Sequence, residues 1–378
     1  MTTSKQQPRA YDWLVGDLHN HCERHELVDE HFTGIDQRLD YVALTNHAQK
    51  PIFAGQAEMV ARGRELLDIP VFFGLEWNAL EGHHANVILP PCADEAELAA
   101  AFIARFDRGR DPGDATVEAA LAWLAALPAE QRPVVFFNHP FPGHWADDVI
   151  ARYLAADTVG DLVVGIEAVN GHQAGCSTDP TAFPGCRPGG SADLVYQASR
   201  PFSLFSNSDF HVHKQSLFYD YPLGVFSRSV VGVPAGERTA AAIFAAFRAG
   251  RTRAMLGDWL TPRVCHINGI GLGECFNSAA GPAALEIGFD LTTAAEVEVI
   301  GQLSPEQPAQ VLHTFGEQPG GPVALTFPIP ANAAGFVRLR VTAVEDQRPP
   351  VPAGFLGDGV TGPTLVHSSA ILIRDGRS

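Results

Sequence analysis

The chain is poor in lysine, and this scarcity limits what it can bind. Its 378 residues include only three lysines, Lys5, Lys50 and Lys214, and the formal net charge is −17. Nucleic acids and anionic membranes are bound by clustered lysine and arginine side chains, because these neutralise phosphate groups. The composition therefore predicts a small-molecule substrate, argues against nucleic-acid or membrane partners, and leaves the oligomeric state open.

Long apolar runs and closely paired cysteines are also absent. No stretch reaches the roughly 18 consecutive apolar residues that a membrane helix needs, and residues 1–10 are polar. The six cysteines show no CxxC spacing, so neither a zinc knuckle nor a redox pair is indicated. From these features we expect a cytoplasmic protein without a secretory leader.

Short apolar runs alternate with helix-like segments between residues 11 and 258. The runs predict strands over 12–19, 41–45, 71–76, 86–89, 134–138, 162–168 and 203–206. Apolar positions at helical spacing predict helices over 56–67, 93–105, 115–127 and 238–249. Strands that alternate with helices form parallel β/α units. About seven such units predict a closed barrel with its chemistry at the carboxyl ends of the strands.

The last third of the chain has a different pattern. After residue 258, Gly and Pro turns separate runs rich in β-branched residues, at 263–267, 284–291, 296–300, 323–327, 336–344 and 369–373. Helical spacing is absent there, and the pattern is typical of a β-sandwich. We therefore expect a barrel domain over 1–258 and a β-sandwich domain over 259–378 that is structural or shapes the substrate site.

Histidines and carboxylates gather at the predicted strand ends. Along an extended strand His19 and His21 point to the same side, and His211 and His213 repeat this spacing. Twelve of the fifteen histidines lie within the first 213 residues. Imidazole together with carboxylate suits Zn, Mn or Fe, whereas a calcium site would consist of oxygen ligands. The pattern predicts one polynuclear metal centre.

Six motifs in a fixed order carry a resemblance to a known family. They are DLHNH (17–21), LTNHA (44–48), FGLEW (73–77), HHANVIL (83–89), FNHPF (137–141) and SDFHVH (208–213). This series resembles the polymerase and histidinol phosphatase (PHP) family of metal-dependent phosphoesterases. The resemblance covers about residues 11–258 and implies an α/β fold, a distorted (β/α)7 barrel similar to a TIM barrel. With its β-rich end, the chain looks like the PHP subgroup that carries a C-terminal β-sandwich, which includes carbamate-hydrolysing members.

The resemblance implies two or three bound divalent ions, Zn, Mn or Fe, and a set of ligands. His19, His21 and Asp209 would bind the first ion, and Glu76 would bridge it to the second. His83 is the neighbouring alternative to His84. The residues that match the family's ligands are, in chain order, His19, His21, His47, Glu76, His84, His139, Asp209 and His211.

The number of ions depends on two departures from the family pattern. His47 and His211 match the positions that hold a third ion, but Asn46 stands where the family has an aspartate beside that histidine. The family's next ligand after the first two histidines is missing, and His25 or Glu23 would have to take its place. A centre of two ions is therefore the alternative to a centre of three.

The catalytic roles also follow from the resemblance. A hydroxide that bridges the metal ions would attack the substrate, with Glu76 and Asp209 orienting it or accepting its proton. His211 or His213 would protonate the leaving group. The candidate substrate-binding residues lie close to the metal motifs and are Arg24, Lys50, Lys214 and His213.

Three functions are compatible with these residues. The favoured prediction is a phosphoesterase that acts on a small phosphorylated metabolite. Hydrolysis of a carbamate, ester or amide on the same centre is the alternative, indicated by the β-rich end and by the aromatic residues of segment 218–221. The third is a metal-binding module without catalytic activity, for which the departures from the family pattern would be signs of decay.

Overall fold

The structure is a computed structural model that describes residues 10–108, 113–139, 145–172, 187–211, 220–350 and 364–376. Its first eleven strands are β1 (Tyr11–Asp17), β2 (Asn20–His21), β3 (Tyr41–Leu44), β4 (Val71–Asn78), β5 (His84–Leu89), β6 (Val134–Phe137), β7 (Val163–Asn170), β8 (Ser203–Asn207), β9 (Phe210–His211), β10 (Ser227–Pro234) and β11 (Thr252–Leu256). The α-helices in these ranges are α1 (Val28–Phe32), α2 (Gln56–Leu66), α3 (Glu95–Phe106), α4 (Val117–Ala125), α5 (Asp147–Ala156), α6 (Ser191–Gln197) and α7 (Ala240–Arg248). Within the described ranges, no helix has both the length and the apolar character that crossing a membrane requires.

The central strands follow the order β10, β1, β3, β4, β5, β6, β7, β8 within one large mixed sheet. The strands β1, β3 and β4 are parallel to one another, and so are β6, β7 and β8. Most of these strands are buried along their whole length, as expected for continuous apolar runs that are covered on both faces. Every strand and helix predicted between residues 11 and 258 occurs, with its ends shifted by a few residues.

One strand runs against the predicted direction. β5 pairs antiparallel with both β4 and β6, because β4 and β5 form a hairpin instead of a β/α unit. The expectation of uniformly parallel units is therefore wrong at this point. The hairpin places Glu76 on β4 opposite Asn86 on β5, and Asn78 opposite His84. It thus brings two predicted ligands, Glu76 and His84, close together at one end of the sheet.

Helix α7 packs on one face of the central strands, and a threonine caps its first turn. Thr239 Oγ1 accepts a hydrogen bond from the Ala242 amide at 3.2 Å, which caps the first turn of α7. The helix buries Phe244, whose ring meets that of Phe72 on β4 edge to face at 5.2 Å. This packing covers the face of the sheet that lies away from α1 and α2.

Hydroxyl groups bridge the gap between β8 and β10. The Ser229 hydroxyl accepts from the Ser206 amide and donates to the Ser206 carbonyl, both at 3.0 Å. On β11, Thr252 Oγ1 accepts from the Leu204 amide at 3.0 Å. Buried backbone groups need hydrogen-bond partners, and these hydroxyls supply them where strand pairing does not. The sheet therefore curves until β8 lies beside β10 and β11.

After β11 the chain is almost entirely β-structure. Its strands are β12 (Leu260–Ile267), β13 (Cys275–Asn277), β14 (Ala283–Leu291), β15 (Ala295–Gln302), β16 (Gln310–Gln318), β17 (Gly321–Ile329), β18 (Gly335–Ala343), β19 (Leu365–Ser368) and β20 (Ile371–Arg374). β12, β14 and β17 form a separate antiparallel sheet, and the other strands extend the large sheet. The two sheets bury one apolar cluster between them, with Ile287 and Phe289 from β14, Val297 from β15 and Leu339 from β18.

The large sheet continues from the central strands into the C-terminal strands. β19 pairs antiparallel with β11 on one side and with β18 on the other. β11 ends at Leu256 and β12 begins at Leu260, so the predicted boundary between 258 and 259 falls in a short turn. The division of the chain into two domains at this turn stays a prediction.

Candidate metal centre

Two very short strands bring the first and the last histidine motifs together. β2 and β9 pair in parallel, with His21 opposite His211 in the register. The rings of these two histidines stack with their centroids 4.1 Å apart. The Asp209 amide also donates to the His19 carbonyl at 2.7 Å, and Asp209 adopts a positive φ of 49°. Residues that are 188 positions apart in the chain, such as His21 and Asp209, therefore lie in contact.

Asp17 holds this junction together. One of its carboxylate oxygens accepts from the His19 amide at 3.0 Å, and the other accepts from the Ser208 amide at 3.1 Å. The side chain is completely buried, and burial raises the pKa of Asp17 to about 6 even though these hydrogen bonds lower it. One carboxylate thus orients the backbone at the ligand positions of both motifs.

Glu76 lies at the centre of the histidine cluster. Its side chain is only 1% exposed. A second carboxylate, that of Asp209, also contacts two of these histidines: its Oδ1 is 3.1 Å from His21 Nε2 and 3.3 Å from His19 Nε2. Five imidazole nitrogens surround the Glu76 carboxylate: His84 Nδ1 at 2.8 Å, His139 Nε2 at 3.0 Å and His19 Nε2 at 3.2 Å from Oε1, and His47 Nδ1 at 2.6 Å and His21 Nε2 at 3.5 Å from Oε2.

The buried carboxylates and imidazoles strongly affect one another's charge. Burial by itself would lower the pKa of His19, but Asp209, Glu167 and Glu76 together raise it well above its ordinary value. Burial would raise the pKa of Glu76, but His19 and His84 hold it well below its ordinary value. Glu76 is therefore an anion at neutral pH.

His21 and His211 have the opposite tendency. Burial lowers the pKa of His21 well below its ordinary value, and the neighbouring His211 adds to the effect. Burial also lowers the pKa of His211, to about 2, with His172 as the next contribution. Both rings are therefore neutral at pH 7 and keep a nitrogen lone pair, which is the form that binds a metal ion.

The hydrogen bonding of the cluster fits a cation site. His21 Nδ1 is buried and has no hydrogen-bond partner among the described residues. Glu76 Oε2 and His47 Nδ1 are 2.6 Å apart, yet their contact lacks the geometry of a hydrogen bond. Buried polar atoms are normally hydrogen bonded. Glu76 Oε2 and His47 Nδ1, which converge without such a bond, are what the ligand shell of an ion requires.

Several triplets of ligand atoms lie within 4.8 Å of one another. They include His21, His47 and His211; His83, His84 and His139; His19, His21 and Glu76; His19, His139 and Asp209; and His47, Glu76 and His84. All eight residues that the family resemblance assigns as ligands occur in these triplets, and His83 joins them. The buried triplets are consistent with a site for several metal ions, and the role of each residue stays a prediction.

Glu167 on β7 also belongs to the centre, and the sequence analysis missed it. Its Oε1 is 2.9 Å from both His19 Nδ1 and Asn207 Nδ2, and its Oε2 accepts from the His139 amide at 2.6 Å and from Asn170 Nδ2 at 2.9 Å. A carboxylate on the far nitrogen of a ligand histidine fixes the tautomer and orientation of the ring. The only signal in the sequence is a single carboxylate inside an otherwise apolar strand.

His172 and Asp220 also lie beside His211, and neither is among the site residues that the sequence predicts. Asp220 Oδ2 is 3.2 Å from His172 Nδ1 and accepts from the His211 amide at 3.1 Å. The rings of His172 and His211 are 4.9 Å apart. Burial would lower the pKa of His172, but Asp220 raises it to about 8.

Asn46, which replaces the family's aspartate, takes part in a structural network. Its Nδ2 donates to Gln56 Oε1 at 2.8 Å, and Gln56 Nε2 donates to the carbonyls of Leu44 and Gly74 at 2.7 and 2.8 Å. This network ties β3 to β4 directly behind His47. The amide thus contributes to the scaffold of the centre.

Two of the predicted substrate-binding cations, Lys50 and Arg24, have carboxylate partners in the structure. Lys50 Nζ is 3.0 Å from Glu23 Oε1, and Arg24 Nε is 3.4 Å from Glu26 Oε1. All four side chains are partly or largely exposed. These pairs reduce the positive charge that Lys50 and Arg24 can offer to an anionic substrate.

The structure places His25, the candidate ligand for a third ion, at the surface. Its side chain is 53% exposed, and its Nε2 is 3.2 Å from Glu58 Oε2 on α2. The remaining two substrate-binding candidates, His213 and Lys214, lie outside the described residues. The assignment of all these residues stays a prediction.

Comparisons with known proteins give only distant similarities. No family model and no curated protein matches the chain. A putative metal-dependent phosphoesterase from Bifidobacterium adolescentis is similar in structure, with 15% identity, 52% of this chain and 87% of that chain covered, and a TM-score of 0.31. Endonuclease Q, in complex with a 27-mer duplex substrate, has 14% identity, with 62% of this chain and 57% of that chain covered, and a TM-score of 0.35. Values this low do not establish a family.

Proposed function

We propose that the chain is a metal-dependent hydrolase and that its substrates are phosphoesters of small metabolites. The observation that carries the proposal is the buried Glu76 carboxylate, which has imidazole nitrogens of five histidines at 3.5 Å or less. Sets of imidazole and carboxylate ligands suit Zn, Mn or Fe. The choice of phosphoesters is supported by the order of the six motifs, which resembles the PHP family.

The proposed centre holds two or three divalent ions. His19, His21 and Asp209 are assigned to the first ion, which Glu76 links to a second ion at His84 and His139. His47 and His211 are assigned to a third. In keeping with the same resemblance, we propose that the strands from β1 to β8 form a distorted PHP-type barrel and that residues 259–378 form a β-sandwich domain.

The residues of the centre have separable tasks in hydrolysis. Bound divalent ions would supply Lewis acidity and a water of lowered pKa. Burial raises the pKa of Asp209, whereas His19 and His84 hold the pKa of Glu76 low. We assign both carboxylates to orienting that water or accepting its proton.

His19 and His211 act through their orientation and protonation state. Glu167 accepts a hydrogen bond from His19 Nδ1, which leaves Nε2 directed at Glu76 and Asp209. His211, with a pKa of about 2, is neutral at pH 7 and fits the role of a ligand better than that of a proton donor.

Hydrolysis of carbamates, esters or amides is the second candidate function. One observation favours it: Lys50 and Arg24, which the sequence offers for phosphate, are paired with Glu23 and Glu26. A weakly charged substrate would not need free cations beside the centre. The same metal chemistry serves both classes of substrate.

Metal analysis and one activity panel test the proposal. Protein purified without chelator should contain about two or three equivalents of Zn, Mn or Fe, as expected for a polynuclear hydrolase site. The protein loaded with metal would then be assayed with phosphomonoesters, phosphodiesters, aryl carbamates and aryl esters. Fewer than about one equivalent, with no uptake on reconstitution, would overturn the metal centre. Activity on carbamates or esters alone would move the assignment to the second candidate.

A pair of glutamate variants identifies the central carboxylate. Glu76→Gln should lower activity by more than the roughly 10–100-fold that is typical for residues behind the ligands. Glu298→Gln is the matched control, because Glu298 is also buried but pairs with Arg340 in the C-terminal sheet. Equal activity of the two variants would show that Glu76 is not a ligand.

A further inference from the structure

We propose that His83 is a ligand of the second ion together with His84, His139 and Glu76, so that this ion is a zinc-class cation with four protein ligands. The inference rests on the proposed function. It adds a ligand that the family resemblance offers only as an alternative to His84. It also gives the ion at His83, His84 and His139 a different task from that of the ions near His21, His47 and His211.

Three ligand atoms of this set already have the spacing of a metal site. Glu76 Oε1 is 2.8 Å from His84 Nδ1 and 3.0 Å from His139 Nε2, and these two nitrogens are 3.3 Å apart. Ligands of a tetrahedral zinc with Zn–N distances of about 2.0–2.1 Å lie about 3.4 Å from one another. The three atoms therefore form one face of a tetrahedral site.

His83 supplies the fourth ligand. Its ring centroid is 4.4 Å from that of His84 and 5.0 Å from that of His139, and the last two rings are 5.2 Å apart. A ring nitrogen of each of the three lies within 4.8 Å of the other two. The three imidazoles thus form a nearly equilateral triangle, and binding one ion would require their nitrogens to approach from within 4.8 Å to about 3.4 Å of one another.

The turn that carries His83 is held firmly in place. Within the β4–β5 hairpin, the Ala79 amide donates to the His83 carbonyl at 2.9 Å. From α5, Tyr153 donates to the Leu80 carbonyl at 2.7 Å. A Cβ at Gly82 would lie 2.3 Å from the Trp145 ring, so the turn packs against that ring at a position where only glycine fits without a shift. The position of His83 is therefore preorganised.

Four protein ligands change what the second ion can do. Structural zinc sites use four protein ligands, whereas catalytic sites keep one position open for water or substrate. With His83 bound, the substrate would reach the centre at the other end, beside His21, His47 and His211. Three imidazoles in one set also select zinc or cobalt over magnesium and manganese.

Metal titration of His83→Ala tests the inference. Metal-free wild-type and variant proteins would be titrated with Co(II), with affinity measured by competition with a chelator and geometry by the visible absorption spectrum. We expect one Co(II) equivalent to bind at least about tenfold more weakly in the variant, as for other losses around a metal. We also expect the visible absorption spectrum of this Co(II) to change, because its set of ligands would lose one of three imidazoles.

Two further variants complete the design. His313→Ala is the matched control, because His313 is an exposed histidine on β16 and should leave every Co(II) equivalent unchanged. His83→Gln keeps most of the side-chain volume and should reproduce the loss without disturbing the turn. Unchanged affinity and spectrum in both His83 variants would overturn the inference and leave the proposed function standing. Failure of the wild-type protein to bind Co(II) at all would instead overturn the proposed function.

Discussion

A single buried carboxylate serves ligands that we assign to two different ions. Glu167 holds the ring of His19 through one oxygen and the backbone of His139 through the other. His139 needs this support, because its φ of 27° is positive, a conformation that residues other than glycine rarely adopt. The orientation of proposed ligands of both ions therefore depends on Glu167, which is not itself assigned as a ligand.

Glu167→Gln should weaken metal binding while the fold persists. An amide has only one acceptor oxygen, so it can serve either the His19 end or the His139 end, and the other end would face an N–H group. We expect metal affinity or metal-dependent activity to fall about 10–100-fold. Chelator competition on the wild-type and variant proteins measures the effect.

Glu95→Gln provides the comparison for this prediction. Glu95 is also buried, and its two contacts, at 2.5 and 3.0 Å, are with Arg64 and not with a histidine of the centre. This variant should lose stability but keep its metal affinity. If the two variants bound metal equally well, the orienting role of Glu167 would be refuted.

The histidines of the centre could be predicted from the sequence, but the carboxylates that hold them in place could not. Histidines at strand ends are visible as local patterns, since HxH spacing and strand periodicity need only a few neighbouring residues. Glu167 meets His19 across 148 residues, and no local pattern records that meeting. Asp220 is likewise one acidic residue among many until the fold brings it to His172 and His211.

At the scale of elements, the short helix α1 contacts the motif at residues 17–21 through one buried histidine. His31 on this helix places its Nε2 3.0 Å from Oδ1 of Asn20, the residue between the proposed ligands His19 and His21. Its ring also contacts Phe32 and Phe210. The side chain is 6% exposed, and burial lowers the pKa of His31 to about 4.

This histidine makes stability depend on pH. Its pKa in the folded state lies below the ordinary value of 6.5, so the unfolded chain takes up the proton first as the pH falls. The stability that His31 contributes is complete above about pH 6.5 and is lost towards about pH 4. Between about pH 7.5 and about pH 5 the loss should be about 2 kcal/mol.

His31→Gln isolates this contribution. Glutamine keeps an N–H group that can reach Asn20 but does not titrate in this range. Urea unfolding of the metal-free proteins at both pH values should show a smaller loss for the variant, by about the same 2 kcal/mol. Identical pH dependence in the two proteins would mean that His31 is not held neutral in the folded state.

The positions of the strands along the chain could be predicted more fully than whether neighbouring strands run parallel or antiparallel. Buried apolar runs such as β5 have the same composition whichever way they run, so the hairpin with β4 was not visible. β16 was missed for a different reason, since it pairs only with β15 and most of its residues are exposed or partly exposed. Edge strands of this kind carry polar residues and lack the apolar pattern of a strand.

At the scale of the whole molecule, one buried ion pair joins α6 to the C-terminal strands. Arg338 on β18 contacts Asp193 on α6 through two nitrogens, at 2.6 and 3.2 Å, and both side chains are fully buried. His367 Nδ1 lies 3.3 Å from Arg338 Nη1. Burial lowers the pKa of His367 well below its ordinary value, so it stays neutral beside the arginine.

Breaking this pair from one side should be costly. Arg338→Met would leave the Asp193 carboxylate buried without its cation, at a cost of about 3–5 kcal/mol. The double variant with Asp193→Asn removes the uncompensated charge and should recover part of that loss. Urea or thermal unfolding measures both, and a single variant as stable as the wild type would contradict the prediction.

The β4–β5 hairpin also determines the order in which the centre can assemble during folding. His84 follows Glu76 by eight residues, whereas His139 lies 63 residues from Glu76, and Asp209 lies 188 residues from His21. The entropic cost of closing a loop rises with its length. In refolding from denaturant, we therefore expect Glu76, His83 and His84 to come together before the more distant proposed ligands. We therefore predict that a cation present at that stage binds first to the hairpin, at the proposed second site.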